Sequence, residues 1–486
     1  MIILLLFGTG GIRGIMRKGD FDNDLVVRAS KAVASWMLDE SLDGIVIAYD
    51  TRKNSREFAE LTARTVSSYG IETYLFEKPV PTPVLSFAIR SMKLKAGIVI
   101  TASHNPPEYN GFKVYTHDGV QAIPAYTEKI SSFMENPFSP STQSKIHPVS
   151  QEVVKEYIES VVKLIKPYVF IPSKTSLIYS PLHGTGAEFV PPVLRSLGIE
   201  LVCVESQMHP DPFFSTVKSP NPEEESSFEQ IKEYMNKNQI SFGISTDPDC
   251  DRVGLFAHTK RLTGNQVGVL LAHMLGEGYP PGSYLFKTIV TTDMVNDICD
   301  DRKHLVVETP TGFKYIGSEI EKRSNREDFR YFLAFEESCG YLTGDFVRDK
   351  DGVIGSALIA AMCTQFDPVE RLSYLYSKYG YHVEKLISIQ TLSSQDAKRL
   401  YEKLSTNPPA KINCFVVEEF YDYSKDAAIP NETLLIKIDG AKVYIRPSGT
   451  EPKLKIYIKV KEQNERTAAK KMEELEKGLK KLENLT

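Results

Sequence analysis

One pattern recurs along this chain and constrains it more than any other. A short β-branched apolar run closes on a cluster of polar residues and is followed by a helical stretch. Gly44–Arg52 reads GIVIAYDTR, Ala96–Asn105 AGIVITASHN, Ser176–Gly186 SLIYSPLHGTG, Ile240–Arg252 ISFGISTDPDCDR and Phe332–Tyr341 FLAFEESCGY. Continuous apolar runs of this length suit strands covered on both faces, as in α/β sheets. Ligands of such sheets gather at the carboxyl ends of the strands, and the polar clusters fall there each time. Between the strands, Val154, Ile158, Val161 and Ile165 form one helical apolar stripe, and near the chain end Ala468, Met472, Leu475, Leu479 and Leu482 form another. By contrast, Leu434–Ile445 and Lys453–Val460 alternate apolar and polar residues, the pattern of a half-exposed antiparallel sheet.

The 486 residues leave room for several domains. The Pro/Ser-rich stretch Glu135–Ser144 reads as a linker, and further changes of character come near Phe256–Gly264 and Phe366–Pro368. The expected division is therefore 1–145, 146–258 and 259–368 as α/β domains, and 369–486 as a C-terminal α+β domain. A net charge of −5 lacks the basic excess of a nucleic-acid binder. The six cysteines include no CxxC spacing, which argues against zinc and for reduced thiols in a cytoplasmic protein. The opening MIILLLF is far shorter than the roughly 20 apolar residues of a membrane span and has no basic n-region. It reads as a buried first strand, and no membrane partner is expected.

Five loops carry candidate chemistry. In Thr101–Lys113 (TASHNPPEYNGFK), Ser103 and His104 sit where a strand enters a loop. That is either an ST-turn or an exposed hydroxyl open to phosphorylation, beside groups that move protons. Asp247, Asp249 and Asp251 alternate in DPDCDR. They form either a solvated acidic turn or oxygen ligands for a hard divalent cation such as Mg²⁺; the loop lacks the later Gly and Glu of an EF-hand. Glu336, Glu337 and Ser338 could read sugar hydroxyls, cap a helix or form a glycosidase pair. Arg446, Ser448, Gly449 and Thr450 form either a phosphate nest or a turn between strands. In FGTGGIRG, Arg13 stands where a dinucleotide fingerprint needs glycine, which leaves a glycine loop with one arginine suited to a phosphoryl group.

Taken together, FGTGGIRG, TASHNPPEYNGFKVY, TDPDCDR, FEESCGY and RPSGTEPKLKIY resemble the α-D-phosphohexomutase superfamily from Phe7 to about Tyr457. Thr309–Gly317 (TPTGFKYIG) and Phe335–Val353 look like its phosphoglucomutase/phosphopentomutase branch, and no GEQSGH-type loop of the phosphoglucosamine branch is present. The resemblance implies three similar α/β domains and a fourth domain with an antiparallel sheet around a central cleft. It implies that Ser103 carries the phosphoryl group and that Asp247, Asp249 and Asp251 hold Mg²⁺, with the Ser103 phosphate as a further ligand. Arg13, His104 and Lys113 match the family's catalytic basic positions. Glu336 and Ser338 would hold sugar hydroxyls. Thr311, Gly312, Arg252 and Lys350 would join the substrate site, and Arg446, Ser448, Gly449 and Thr450 would hold the phosphate that is not reacting.

The implied reaction converts glucose 1-phosphate to glucose 6-phosphate, with glucose 1,6-bisphosphate as intermediate and activator and mannose phosphates as second substrates. Phosphopentomutase activity on ribose or deoxyribose phosphates is the nearest rival. A serine hydrolase is remote, because a Ser–His pair of a triad is usually distant in sequence. A non-catalytic sensor does not explain why every motif is present. Cys339 stands where many glucomutases have a larger side chain, which bears on sugar preference. Few residues precede the first motif, whereas many members of the branch carry longer leaders. An oligomer interface built on such a leader is therefore not expected, and the chain is expected to be a monomer or homodimer.

Overall fold

The computed structural model describes residues 11–141, 145–170, 175–426, 431–448 and 453–481. The opening apolar run lies outside them, as do Gly449, Thr450 and Leu482. The chain divides into two compact units. One comprises 1–279, 283–286 and 312–368; the other comprises 280–282, 287–311 and 369–486.

The first sheet contains β1 (Ile12–Ile15), β2 (Ile45–Tyr49), β3 (Thr73–Leu75), β4 (Ala96–Ile100), β5 (Tyr109–Thr116) and β6 (Ile146–Pro148), in the order β1-β5-β4-β2-β3-β6. Every residue of β2 and β4 is buried, as a run covered on both faces requires. The strands β4, β2, β3 and β6 are parallel, whereas β5 turns back antiparallel on β4 and β1 on β5. The edge strand β6 continues this sheet a few residues past position 145.

A second sheet contains β7 (Ser176–Ser180), β8 (Glu200–Cys203), β9 (Phe242–Thr246), β10 (Val253–Ala257) and β11 (Lys260–Leu262), in the order β11-β10-β9-β7-β8. The plan repeats: β8, β7 and β9 are parallel, and β10 folds back antiparallel on β9. The third sheet contains β12 (Tyr284–Thr288), β13 (Leu305–Thr309), β14 (Tyr331–Glu336) and β15 (Gly340–Leu342), in the order β13-β12-β14-β15, with β15 antiparallel to β14. In all three sheets the strand order is thus second, first, third, fourth within the repeated unit.

The C-terminal region contains β16 (Tyr381–Gln390), β17 (Lys411–Ile412), β18 (Phe415–Val416), β19 (Glu419–Asp422), β20 (Leu434–Ile438), β21 (Ala441–Pro447) and β22 (Lys453–Glu462). Its main sheet, β16-β22-β21-β20-β19, is antiparallel throughout. Alternation sends Ile436, Val443, Ile456 and Ile458 into one core with helices Ser394–Thr406 and Glu465–Lys480. Leu435, Tyr444 and Tyr457 pack instead on Ile289 and Val290. Asp293 fastens the same segment by accepting from Lys287 (2.8 Å), Lys442 (2.8 Å) and Lys459 (2.9 Å). These contacts explain why Lys287–Thr311 is compact with the C-terminal residues.

Helix Gln151–Ile165 buries Val153, Tyr157, Val161 and Ile165. The stripe expected through Val154 and Ile158 is therefore rotated by one residue, because Tyr157 supplies a buried hydroxyl anchor that apolar periodicity does not weigh. Its hydroxyl donates to Asp351 Oδ2 at 2.7 Å, and Asp351 Oδ1 in turn caps the buried helix Gly352–Gln365 through the N–H groups of Val353 and Ile354. Among the described residues no single helix is long and apolar enough to cross a membrane.

Removing the phenol hydroxyl leaves a buried carboxylate oxygen without its donor. Tyr157→Phe is expected to destabilise the first unit by about 1–3 kcal/mol, read as a lower urea midpoint; an unchanged midpoint would show the bond to be dispensable.

Candidate active site

The three chemical loops of the first unit occupy the same place in three sheets. Ser103 lies in the hairpin between β4 and β5, the Asp247–Asp251 run between β9 and β10, and Glu337–Cys339 between β14 and β15. Each hairpin carries one non-glycine residue in the left-handed region: Ser103 at φ +54°, Cys250 at +50° and Cys339 at +63°. Such backbone is costly for a residue with a Cβ and is kept where the surroundings over-determine it, typically at functional loops.

Ser103 donates through Oγ to Asp247 Oδ2 at 2.8 Å and stands 3.2 Å from His104 Nδ1. It is only 1% exposed. Of the two readings left open by the sequence, an ST-turn or an exposed hydroxyl, the exposure does not hold: the loop turns inward, its backbone carbonyls drawn to Arg52 and its hydroxyl to Asp247. His104 is half-buried. Burial, aided by the positive charge of Arg252 and Arg13, pushes its pKa well below the ordinary value, so the imidazole is neutral.

Asp247, Asp249 and Asp251 are fully buried, with one carboxylate oxygen from each lying within 4.8 Å of the others. Their loop is rigidly held. Asp247 Oδ1 accepts from the N–H groups of Asp251 (3.1 Å) and Arg252 (3.0 Å). Thr82 donates to Asp249 Oδ2 at 2.8 Å, and the Thr185 N–H donates to the Pro248 carbonyl at 2.9 Å. Lys113, from β5, reaches Asp249 at 2.9 Å and Asp251 at 3.5 Å, while Lys350 reaches Asp251 at 3.0 Å. Burial, then repulsion from Asp251 and Asp249, lifts the carboxyl of Asp247 well above the usual range. Burial acts the same way on Asp249, but the charge and hydrogen bond of Lys113 together with the hydrogen bonds to Asp247 and Thr82 outweigh it and hold that carboxyl low. Asp249 Oδ1 and Asp251 Oδ1 are buried without a hydrogen-bond partner. Two buried carboxylate oxygens without hydrogen bonds, one of them with only Arg252 Nε at 3.8 Å as an ion-pair partner, in a cluster of three carboxylates are what a hard cation with oxygen ligands would satisfy, so the donor set fits Mg²⁺.

Around this centre lie the remaining cationic groups. Arg13 donates to Asn105 Oδ1 at 2.9 Å, and its Nε is buried without a partner. Arg252 is half-buried and paired with Glu223. In the third hairpin, Glu336 accepts from the N–H of Gly312 at 2.9 Å. Burial pushes its carboxyl up to about 7 against the opposing charge of Lys350. Ser338 is half-buried, and Thr311 Oγ1 is buried without a partner. Cys339 is 1% exposed, and its thiol, pushed up to about 12 by burial, is engaged with Tyr341.

The first unit therefore contains Arg13, Ser103, His104, Lys113, Asp247, Asp249, Asp251, Arg252, Lys350, Glu336, Ser338 and Gly312. Thr311, Arg446 and Ser448 belong to the second unit. There Arg446, next to last in β21, lies opposite Lys455, and the Ser448 N–H donates to the Lys453 carbonyl at 2.8 Å. Sequence reasoning missed Asp50, Arg52, Thr82 and Glu223. Arg52 closes the polar tail of GIVIAYDTR, so its position at a strand end was a visible signal, but nothing in the sequence said what it binds.

If the acidic cluster takes a divalent cation, Mg²⁺ raises the thermal midpoint by mass action and Asp251→Asn removes that rise; an equal rise in the variant counts against the site. Glu336 yields a pH test. Its folded-state pKa is raised from 4.5 to about 7, so its contribution to stability is complete below about pH 4.5 and is lost as pH climbs through about 7. Glu336→Gln should flatten the stability curve over that interval, and superimposable curves would rule the shift out.

Comparison with known proteins agrees with this arrangement. The family models described as phosphoglucomutase/phosphomannomutase alpha/beta/alpha domains I, II and III match residues 4–140, 155–260 and 263–379. A phosphoglucomutase of Staphylococcus aureus (strain MRSA252) is 33% identical over 500 residues, covering 94% of this chain and 90% of that protein. Among solved structures, a phosphoglucomutase/phosphomannomutase family protein from Burkholderia thailandensis matches with a TM-score of 0.79 at 20% identity, covering 99% of this chain and 98% of that one. The N-acetylphosphoglucosamine mutase of Aspergillus fumigatus, solved with GlcNAc-6P and magnesium, shares the fold at a TM-score of 0.55 and 12% identity, covering 99% of this chain and 95% of that one. Three domain models in register, and a relative matched over nearly its whole length, make this chain a mutase of the α-D-phosphohexomutase superfamily.

Proposed function

We propose that the enzyme interconverts glucose 1-phosphate and glucose 6-phosphate through a phosphorylated Ser103 and a bisphosphorylated sugar. One observation carries this reading: Ser103 Oγ lies 2.8 Å from Asp247, on the edge of a buried carboxylate cluster with two unsatisfied oxygens. A serine hydrolase needs its base oriented by a third group, and here the hydroxyl is committed to a carboxylate instead. The name of the 33%-identical relative, phosphoglucomutase, supports a hexose substrate.

Phosphoryl transfer asks a protein mainly for positioning and charge neutralisation. Phosphoserine 103 gives its group to a free sugar hydroxyl: the Ser103 O–P bond breaks as the sugar O–P bond forms, and the hydroxyl proton leaves to a nearby base. The bisphosphate turns over, and its other phosphoryl group returns to Ser103. Asp247, Asp249 and Asp251 would hold Mg²⁺, with the Ser103 phosphate as a further ligand. When bound, that cation supplies Lewis-acid neutralisation of the phosphoryl oxygens. Arg13, with its free Nε, and Lys113 oppose the charge on the group in flight. His104, neutral and beside Ser103, and Lys113 are the candidates for moving the proton. Glu336 and Ser338 read the sugar hydroxyls, with Thr311, Gly312, Arg252 and Lys350 completing the substrate site. Arg446, Ser448, Gly449 and Thr450 take the distal phosphate. The six free cysteines, five of them buried, support a cytoplasmic setting.

Intact-mass measurement tests the proposal. A fraction of chains should be heavier by one phosphate, and Ser103→Ala should lose both that fraction and activity by roughly 10⁴-fold or more. Full mutase activity in Ser103→Ala would sink the mechanism. Faster turnover of pentose than of hexose 1-phosphates would replace the assigned sugar.

A further inference from the structure

The Arg52 side chain is completely buried, yet it contacts none of the groups given a chemical role above through their reacting atoms. Its donors go to backbone carbonyls of a single loop. Nη1 donates to Pro106 O at 2.8 Å and Tyr109 O at 3.2 Å; Nη2 donates to Ser103 O at 2.5 Å and to Asn105 O. Four carbonyls within seven residues thus converge on one guanidinium. The arginine is fixed from behind. Asp50 Oδ2 stands 3.4 Å from its Nε, Asp50 Oδ1 accepts from the Arg52 N–H at 2.9 Å and from Ser55 Oγ at 2.7 Å, and the ring of Phe214 lies 5.1 Å from the guanidinium carbon.

Ser103 itself is held at φ +54°, a left-handed conformation that is unfavourable for a residue with a Cβ. Buried carbonyls that lose their donors carry a further desolvation cost. Without the guanidinium, the loop would leave this conformation to satisfy its carbonyls elsewhere, and Ser103 Oγ would leave the carboxylate cluster. We propose that Arg52 is a positioning residue for the mutase reaction: a planar, multi-donor cation that fixes the Ser103 loop in the transfer-competent conformation. This rests on Ser103 being the phosphoryl carrier. A lysine has three donors on a single atom and no planar fork, so it cannot serve four carbonyls and the aromatic face together.

The test compares full-length wild type with Arg52→Lys. Because a displacement of about 1 Å costs on the order of 10²-fold in rate, kcat should fall about 100-fold while KM for the sugar phosphate moves less than about threefold. Hydrogen exchange of the amides at 103–109 should accelerate. Wild-type kcat, unchanged exchange in that segment, or a rise in KM at constant kcat would overturn the proposal. Should Arg52→Lys fail to fold, Phe214→Leu removes the ring beneath the guanidinium and keeps its donors. It should raise exchange at 103–109 and lower kcat at constant KM, and wild-type values of both would overturn the clamp. The exchange measurement needs no turnover. A wild type without phosphate on Ser103 would therefore sink the carrier reading, whereas unchanged exchange in the variants sinks the clamp alone.

Discussion

Mutual repulsion among Asp247, Asp249 and Asp251 is the constraint around which the first unit is arranged. Three carboxylates withdrawn from water, with ligand oxygens inside 4.8 Å, are unfavourable unless cations and donors meet them. The chain meets them from distant segments: Lys113 from β5 of the first sheet, Lys350 from beyond β15, Thr82 from the start of a helix and Ser103 from its hairpin. Each of these contacts also ties the acidic loop of the second sheet to a segment outside that sheet. The charge cluster therefore serves as chemistry and as the joint that brings three sheets' loops to one place.

The compensation is incomplete in a consistent direction. Asp249 Oδ1 and Asp251 Oδ1 accept no hydrogen bond, the latter having only Arg252 Nε at 3.8 Å, and Arg13 Nε donates none on the cationic side. Groups that fold only to satisfy one another would not leave buried anionic and cationic atoms without hydrogen bonds. A site that must accept a cation and a phosphate dianion would, since its own groups are then preorganised for charge that arrives with the ligand. Glu336, held protonatable near neutrality by burial, differs from the triad in this respect and suits hydrogen bonding to hydroxyl groups rather than to a metal.

Much of this was legible in the sequence. Uninterrupted apolar runs such as GIVIAY and AGIVI suit strands buried on both faces, and alternation in Leu434–Ile438 marks the antiparallel sheet; both are local signals. The Asp triad was legible because its chemistry lies in side chains at adjacent alternate positions. Arg52 was not, because its partners are carbonyls, which every residue has, so no side-chain pattern points to them. The burial of Ser103 was hidden for the same reason. The rotation of the 151–165 stripe onto Tyr157 depends on Asp351, nearly two hundred residues away. Asp293 is likewise defined by Lys442 and Lys459, which become its neighbours only once the C-terminal sheet has formed.

The three working loops stand at one equivalent turn of three sheets that share a strand order. A molecule arranged in this way resembles one turn repeated and then given separate trades, which in the proposed mechanism are carrying a phosphoryl group, gathering charge and recognising a substrate. Because each trade sits on its own copy, with its own strands and its own left-handed residue to set the bend, the recognition turn can be redrawn by mutation while the other two stay under their own restraints. On the proposed assignment, diversification of such a scaffold toward new sugars then has a natural address, the short turn from Glu337 to Cys339, which can change length or chemistry at little risk to the loops that would move the phosphate.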